Sequence, residues 1–270
     1  MTSLVFRLRA APEQRLDLSP LTPHILANKK LGEIEKLALQ TTRQKLCVGD
    51  IFTLSGGDAE NIVIEGGSHR FDCVAEGMNA GSILVIGEVG ARAGRRMAGG
   101  RLTIKGNAGP WTASGMTAGF VEIAGDAGDR LGGPLAGEVH GMSGGMLVVR
   151  GDAGERAGDR LRRGLAIIEG NAGAGAGSRM LAGSLIICGT AGPQAGYLLR
   201  RGTLALGATQ DDLGPTFLDC GVHDLVALRL LAAFARESSR GAAQLLRGAL
   251  RRFMGDTALL GKGEIFVAAR

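Results

Sequence analysis

The sequence predicts an all-β fold: a parallel β-helix, wound as a single-stranded solenoid of about 19 residues per coil, with small α/β caps at both ends. Three observations lead there. First, from Gly87 onward an apolar strand followed by Gly-x-x-Gly recurs with a period of 19 residues. The strand-ending glycines are Gly87, Gly106, Gly125, Gly151, Gly170 and Gly189, and their partners three places later are Gly90, Gly109, Gly128, Gly154, Gly173 and Gly192. A fixed period of this size marks one small unit stacked many times, each burying its apolar face only because its neighbours are present. Second, apolar residues stand four and two places before each of these glycines, as in Ile83 and Val85, Leu102 and Ile104, or Leu147 and Val149. Period two belongs to strands with one buried face. Third, small residues and glycines recur where a corner leaves no room for a side chain. Val89, Ala108, Ala127, Ala153, Ala172 and Ala191 follow two places after the strand-ending glycine, and a further glycine follows at Gly94, Gly132, Gly158, Gly177 and Gly196, with Ala113 the one departure.

In chain order, residues 1–55 form an N-terminal cap with a strand at Leu4–Leu8 and a mixed segment after Pro23. The β-helix occupies residues 56–213. Its first coil is expanded, since Gly66 to Gly87 spans 21 residues, and holds Ile62, Ile64 and Met78. An inner column of long apolar residues stands ten places after each strand-ending glycine: Met97, Met116, Leu135, Leu161, Met180 and Leu199. The step from Gly125 to Gly151 is 26 residues, which predicts an excursion near Glu138–Gly144, with Met142 and Gly145 resuming the register. Leu204 and Leu206 close the array, Ala208 standing for the glycine. Residues 214–270 form a helical C-terminal cap: Val222–Phe234 and Ala242–Phe253 have helical apolar spacing, and Glu264–Ala268 reads as a closing strand. Stacked arrays need such caps because their end coils offer open edges to other chains.

Composition narrows the function. Cys47, Cys73, Cys188 and Cys220 are scattered without Cys-x-x-Cys spacing, and no secretory signal precedes them. That predicts a reduced, cytoplasmic protein. No stretch approaches the apolar length of a membrane span, and Leu225–Ala235 is interrupted by Arg229. Net charge is only +5, and the chain has one Trp, Trp111, and one Tyr, Tyr197. Stacking platforms for bases are lacking, which argues against nucleic acid as a partner.

Few residues point to chemistry. His24, His69, His140 and His223 have no partner at ligand spacing, so no metal site is expected. The glycine words recur in every coil with no helix after them, unlike a phosphate-binding loop. No Ser/His/Asp set, activated cysteine or carboxylate pair stands out. The arginines are more informative. Arg92, Arg95, Arg96, Arg130, Arg156, Arg160, Arg162, Arg163, Arg179, Arg200 and Arg201 fall on the return side of the coils, interleaved with Asp129, Glu155 and Asp159. The bland expectation is a solvated ladder of ion pairs. The sharper one is a polyanion-docking edge at Arg156, Arg160, Arg162 and Arg163, for an acidic partner or a polyanionic tail. His140, in the excursion, either anchors its own loop or makes a contact. Val63, Leu84, Thr103, Glu122, Val148, Ile167 and Ile186 lie on the outward side of the strands and are mostly apolar. Such a stripe is covered by a cap helix or by another subunit.

The word Gly-x-Ala-Gly-x-x-x-Gly-x-x-Met-x-Gly-Gly, seen in Gly87–Gly100 with Val89 in the alanine column, resembles two related groups. These are the C-terminal domain of glutamate synthase large chains, and the C subunit of formylmethanofuran dehydrogenases and of the bacterial formyltransferase/hydrolase complex. Gly125-Asp-Ala-Gly-Asp-Arg-Leu-Gly-Gly-Pro-Leu-Ala-Gly137, running into His140-Gly-Met-Ser-Gly-Gly145, is similar to the C subunit in particular. So are Phe253-Met-Gly-Asp256 and Gly261-Lys-Gly-Glu264-Ile-Phe-Val267. The resemblance covers nearly the whole chain and implies a right-handed parallel β-helix acting as a non-catalytic scaffold. Formyltransferase, amidohydrolase-like and molybdopterin-oxidoreductase-like partner subunits would carry the chemistry, in which the formyl group of formyl-tetrahydromethanopterin passes to methanofuran and is hydrolysed to formate. Methanofuran and a metal are expected in those partners, with no cofactor, metal or catalytic residue on this chain. A polyglutamate tail on methanofuran would be guided by the arginine edge. Two alternatives are the C subunit of an archaeal tungsten or molybdenum formylmethanofuran dehydrogenase, and a glutamate-synthase-like β-helix protein. The bias to arginine, alanine and glycine, which GC-rich bacterial genomes tend to encode, favours the bacterial complex of formaldehyde oxidation.

Overall fold

A computed structural model describes residues 2–269. Its elements in order are β1 (Ser3–Leu8), β2 (Leu16–Asp17), α1 (Pro23–Leu26), α2 (Leu31–Glu35), β3 (Ala38–Thr41), β4 (Leu46–Cys47), α3 (Val48–Ile51), β5 (Phe52–Ser55), β6 (Asp58–Glu65), β7 (Phe71–Asp72) and β8 (Ser82–Ile86). They continue as β9 (Ala98–Ile104), β10 (Ala118–Ile123), β11 (Ser143–Val149), β12 (Arg163–Ile168), β13 (Ser184–Ala191), β14 (Arg201–Thr209), β15 (Leu218–His223), α4 (Val226–Ala235), α5 (Arg240–Arg247), β16 (Leu250–Gly255) and β17 (Lys262–Ala268). The chain is mostly strand. One sheet of 13 strands runs in the order β15-β16-β17-β14-β13-β12-β11-β10-β9-β8-β6-β1-β5.

The repeat becomes hydrogen bonding. Ile83 pairs with Leu102, Leu102 with Val121, Val121 with Leu147, Leu147 with Ala166, Ala166 with Leu185 and Leu185 with Leu204, all in parallel. Each unit is therefore bonded to the next in the register of the sequence repeat. Parallel neighbours require a return crossing. The small-residue column supplies a second row of parallel bridges there, from Ser68 through Val89, Ala108, Ala127, Ala153 and Ala172 to Ala191. The strand-ending glycines allow these backbones to approach: a Cβ on Gly106 would stand 2.6 Å from the carbonyl carbon of Gly87. That explains Gly106 by proximity and not by a left-handed bend.

The irregular steps are resolved. Ala113 N–H donates to Ala93 O and Gly132 N–H to Thr112 O, while Met142 N–H donates to Gly132 O and Ser143 N–H to Met116 O. The added residues thus lie between Gly132 and Met142, earlier than the expected Glu138–Gly144. Met142, fully buried, takes the place in the inner column expected for Leu135, which is only half-buried in the loop. The count of ten from the glycine fails there because the insertion precedes the column. In the expanded first unit the extra residues form β7, which pairs with β2: Leu16 with Phe71 and Asp17 with Asp72.

Both ends extend the same sheet. At the N-terminal end β1 pairs in parallel with β6 and antiparallel with β5, and Phe6 meets Phe52 edge-on at 5.8 Å. At the other end β17 pairs in parallel with β14, with β16 and β15 antiparallel beyond it. The helical reading of Ala242–Phe253 holds only to Arg247. Gly248 follows, and Leu250–Gly255 pairs with β17, so tertiary pairing overrides the local spacing. Val222 likewise lies in β15 rather than in a helix.

The outward apolar stripe divides in two. Val148, Ile167, Ile186 and Ala205 are fully buried beneath α4 and α5, packed with Leu228, Ala232 and Leu246. Covering each large side chain contributes about 1.5–3 kcal/mol. Ser239 caps α5, accepting from Ala242 N–H at 3.1 Å and donating to Glu169 at 2.6 Å. Much of the stripe expected to need a cap helix or another subunit is therefore covered by the chain's own helices. Val63, Leu84, Thr103 and Glu122 are half-buried.

Candidate functional site

Stacking places residues five and nine places after each strand-ending glycine in two rows. Arg92, Trp111, Arg130 and Arg156 form the first, at φ of 64°, 57°, 55° and 57°, and Arg96, Arg160 and Arg179 stand in the second at 51°, 50° and 55°. Between the rows the chain turns inward and is buried at Ala93, Gly94, Ala157, Gly158, Asp159, Ala176 and Gly177, which leaves the row side chains the room on the outer side. Asp159, with 0% exposure, accepts from Arg179 Nε at 3.0 Å and Nη2 at 2.5 Å. Arg156 Nη2 lies 3.4 Å and Arg130 Nη1 3.9 Å from the same carboxylate. A buried carboxylate is tolerated only when paired, and the two-pronged Arg179 contact supplies the pairing. Burial pushes the Asp159 carboxyl above its ordinary value, against the pull of Arg156, Arg160 and Arg130.

The insertion after Gly132 stands over these rows. Glu138 clamps it: its carboxylate accepts Leu135 N–H at 2.9 Å, Arg95 Nη2 at 2.7 Å and Arg96 Nη2 at 3.1 Å, and its carbonyl accepts Arg160 Nη1 at 3.1 Å. Arg95 also bridges to Glu76 at 2.8 Å. Burial raises the Glu138 pKa, but the Leu135 N–H and the two guanidinium groups outweigh it and hold the carboxyl below its ordinary value. Two clefts flank the loop and share Gly137, Arg160 and Arg179. One, of about 400 Å³, is walled by Trp111, Arg130, Pro134, Leu135 and Arg156; the other, of about 540 Å³, by Val139, Leu181, Leu198, Arg200 and Leu259. Both are cationic slots with apolar walls, suited to hold carboxylates or other anions.

No family model matches the chain. The C subunit of the Fhc formyltransferase/hydrolase complex of Methylorubrum extorquens is 48% identical over 263 residues, which cover 97% of this chain and 98% of that one. The chain belongs to the family of formyltransferase/hydrolase C subunits. In the crystal structure of the Methylorubrum extorquens complex, FhcABCD with methylofuran, a chain of 46% identity superposes with a TM-score of 0.93, covering 98% of this chain and 100% of its own length. A more distant relative is the C subunit of the tungsten-containing formylmethanofuran dehydrogenase 2 of Methanothermobacter thermautotrophicus, 31% identical over 94 residues, 33% of this chain and 35% of that one.

In this member of the C-subunit family the four arginines of the expected edge part company. Arg156 and Arg160 line the clefts, whereas Arg162 and Arg163 are exposed at the start of β12, outside both. Arg130, Arg179 and Arg200 join the site, and Arg95 and Arg96 serve the loop. The expected ion-pair ladder is present in part, concentrated on Asp159 and Glu138. Glu138, rather than His140, carries the contacts that hold the loop. Trp111 and Asp159 were legible by counting from the glycine: Trp111 shares the column of Arg92, Arg130 and Arg156. Among the described residues no group of three or more His, Cys, Asp or Glu is placed to hold a metal ion.

Proposed function

We propose that the chain is the C subunit of a bacterial formyltransferase/hydrolase complex, the assembly that moves the formyl group of formyl-tetrahydromethanopterin to methanofuran and releases formate in one-carbon metabolism. The observation that carries this is identity of 48% across nearly the full length of both chains. The archaeal dehydrogenase reading rests on a third of the chain and ranks second.

Within that reading the chain is a right-handed parallel β-helix, residues 56–213, between an N-terminal cap at 1–55 and a C-terminal helical cap at 214–270. The row-by-row parallel pairing supports it, as does the right-handedness of nearly all parallel crossovers. It acts as a non-catalytic scaffold in the cytoplasm. Arginine favours that role in the clefts, since guanidinium stays charged at any working pH and exchanges no proton. Methanofuran and a metal belong to the formyltransferase, amidohydrolase-like and molybdopterin-oxidoreductase-like partners. The cleft arginines, Arg156 and Arg160 among them, dock polyanionic groups of those partners or of the coenzyme, and Arg162 and Arg163 offer a separate exposed patch for such groups. A tagged pull-down from native cells tests the reading. Three distinct partner subunits and formate release from formyl-tetrahydromethanopterin in the eluate are expected; a lone chain, or one bound only to synthase subunits, would refute it.

A further inference from the structure

The loop at residues 133–141 is held before any partner arrives. The Glu138 clamp fixes it to Arg95, Arg96 and Arg160, and Arg95 is almost buried, with 12% of its side chain exposed. Yet this rigid loop presents Val139 at 76% exposure, more than any other large apolar residue described. A fixed loop with an apolar tip resembles the pre-organised anchor of an interface, for which the ordering cost of binding has already been met.

The charge around the tip is unbalanced. Arg130, Arg156, Arg160, Arg179 and Arg200 line the two clefts, against the carboxylates of Asp159 and Glu138. Glu138 is engaged with Arg95 and Arg96, and Asp159 is bonded on two prongs by Arg179. Arg156 and Arg130 approach Asp159 only at 3.4 and 3.9 Å, so they keep donors for another acceptor. Arg200 is exposed at the mouth of the second cleft. A single small anion would fill one cleft and leave Val139 bare. Nucleic acid would find one aromatic platform, Trp111, beside the loop.

We propose that the 133–141 loop and its two clefts form a docking site for an acidic peptide segment of another subunit, whose carboxylates meet Arg130, Arg156 and Arg200 while an apolar side chain packs on Val139. This rests on the reading of the chain as part of a complex. It adds to that reading the location of one contact and the chemistry of what fills it. Both clefts are used because the segment straddles the loop.

A photo-crosslinking residue, p-benzoylphenylalanine, at position 139 of the full chain tests the site in the complex purified from native cells. The expected product joins position 139 to one partner peptide carrying two or more Asp or Glu residues. The double variant Val139→Asp/Arg200→Glu, with an unchanged melting curve, should retain about tenfold less partner at about 0.15 M ionic strength, and Lys29→Glu in the N-terminal cap should retain all of it. The proposal is overturned by a co-purified complex that gives no crosslink, by a crosslink to a segment without carboxylates, or by the added mass of a non-protein polyanion. Equal loss in Lys29→Glu also overturns it, since general charge would then explain the binding. A wild-type chain that brings down no partner removes the complex reading itself, and the docking site with it.

Discussion

Ala113 holds φ at 60° in the same column where Gly94 and Gly132 hold 65°. The position therefore demands a left-handed backbone but not glycine itself. What distinguishes its members is the room for a Cβ. At Gly132 a Cβ would touch Met142 Cβ at an ordinary 3.6 Å, whereas at Gly158 it would meet Leu185 Cδ2 at 2.8 Å. Gly132→Ala should cost about 1 kcal/mol, the strain of a left-handed residue partly offset by a less free unfolded chain. Gly158→Ala should cost about 1–3 kcal/mol more through overpacking. Urea denaturation of the two variants compares them directly, and equal midpoints would refute the distinction.

Gly106→Ala should be far worse than either. Its Cβ would meet the backbone of Gly87, not a side chain that can turn aside. The two stacked units must then separate, breaking parallel pairing on both sides. The expected outcome is loss of soluble folded chain on expression, checked by size exclusion and circular dichroism.

Asp159→Asn removes the carboxylate that Arg179, Arg156 and Arg130 share. The three arginine side chains are about one third exposed, so solvent screens part of the repulsion left behind. Loss of the buried, two-pronged pair should still lower stability by about 1–3 kcal/mol. Arg130→Ala, at 3.9 Å and partly in water, should cost under about 1 kcal/mol. Thermal unfolding of the two variants should preserve that order.

The loop clamp should fail in acid. The Glu138 carboxyl is held below its ordinary value in the folded chain. Its contribution is therefore present above the unfolded value, about 4.3, and is lost as pH falls through the lower folded value. Trp111, the one tryptophan, stands in the cleft beside the loop and reports on it. Its fluorescence should change below about pH 4, ahead of global unfolding, and the change should vanish in Glu138→Gln.

Two thiols should resist alkylation. Burial, then the charge of Glu169, pushes Cys188 up to about 11, and burial with the Glu76 contact raises Cys73 further. Because the thiolate is the nucleophile, both should react slowly with iodoacetamide near pH 8 while Cys47 and Cys220 are modified. Equal rates at all four positions in the folded chain would contradict the burial described.

Much of the site could be read by counting residues. Arg130 and Arg156 share one spacing from their strand-ending glycines, and Arg160 and Arg179 another, so stacking alone brings them together. The loop broke the count. Nothing local to Gly125–Gly151 says whether the seven extra residues precede or follow the inner column, and Leu135 and Met142 are equally apolar candidates for it. The choice depends on which residue closes the bond to Gly132 O within its own unit and is followed by one that reaches Met116 O in the neighbouring unit.

By itself the sequence determined the repeat, its period, the strands and their buried faces, because these follow from alternation and spacing along one chain. The tertiary structure decided what covers the outward stripe and where the cap strands lie. It was also needed to see that Arg162 and Arg163 stand apart from Arg156 and Arg160, although all four are close in sequence. Two residues along this chain carry it past the corner at Leu161 into β12, and a corner changes the face on which a side chain stands. Proximity along the chain is then a poor guide to proximity in space, whereas a difference of one whole repeat is a good one.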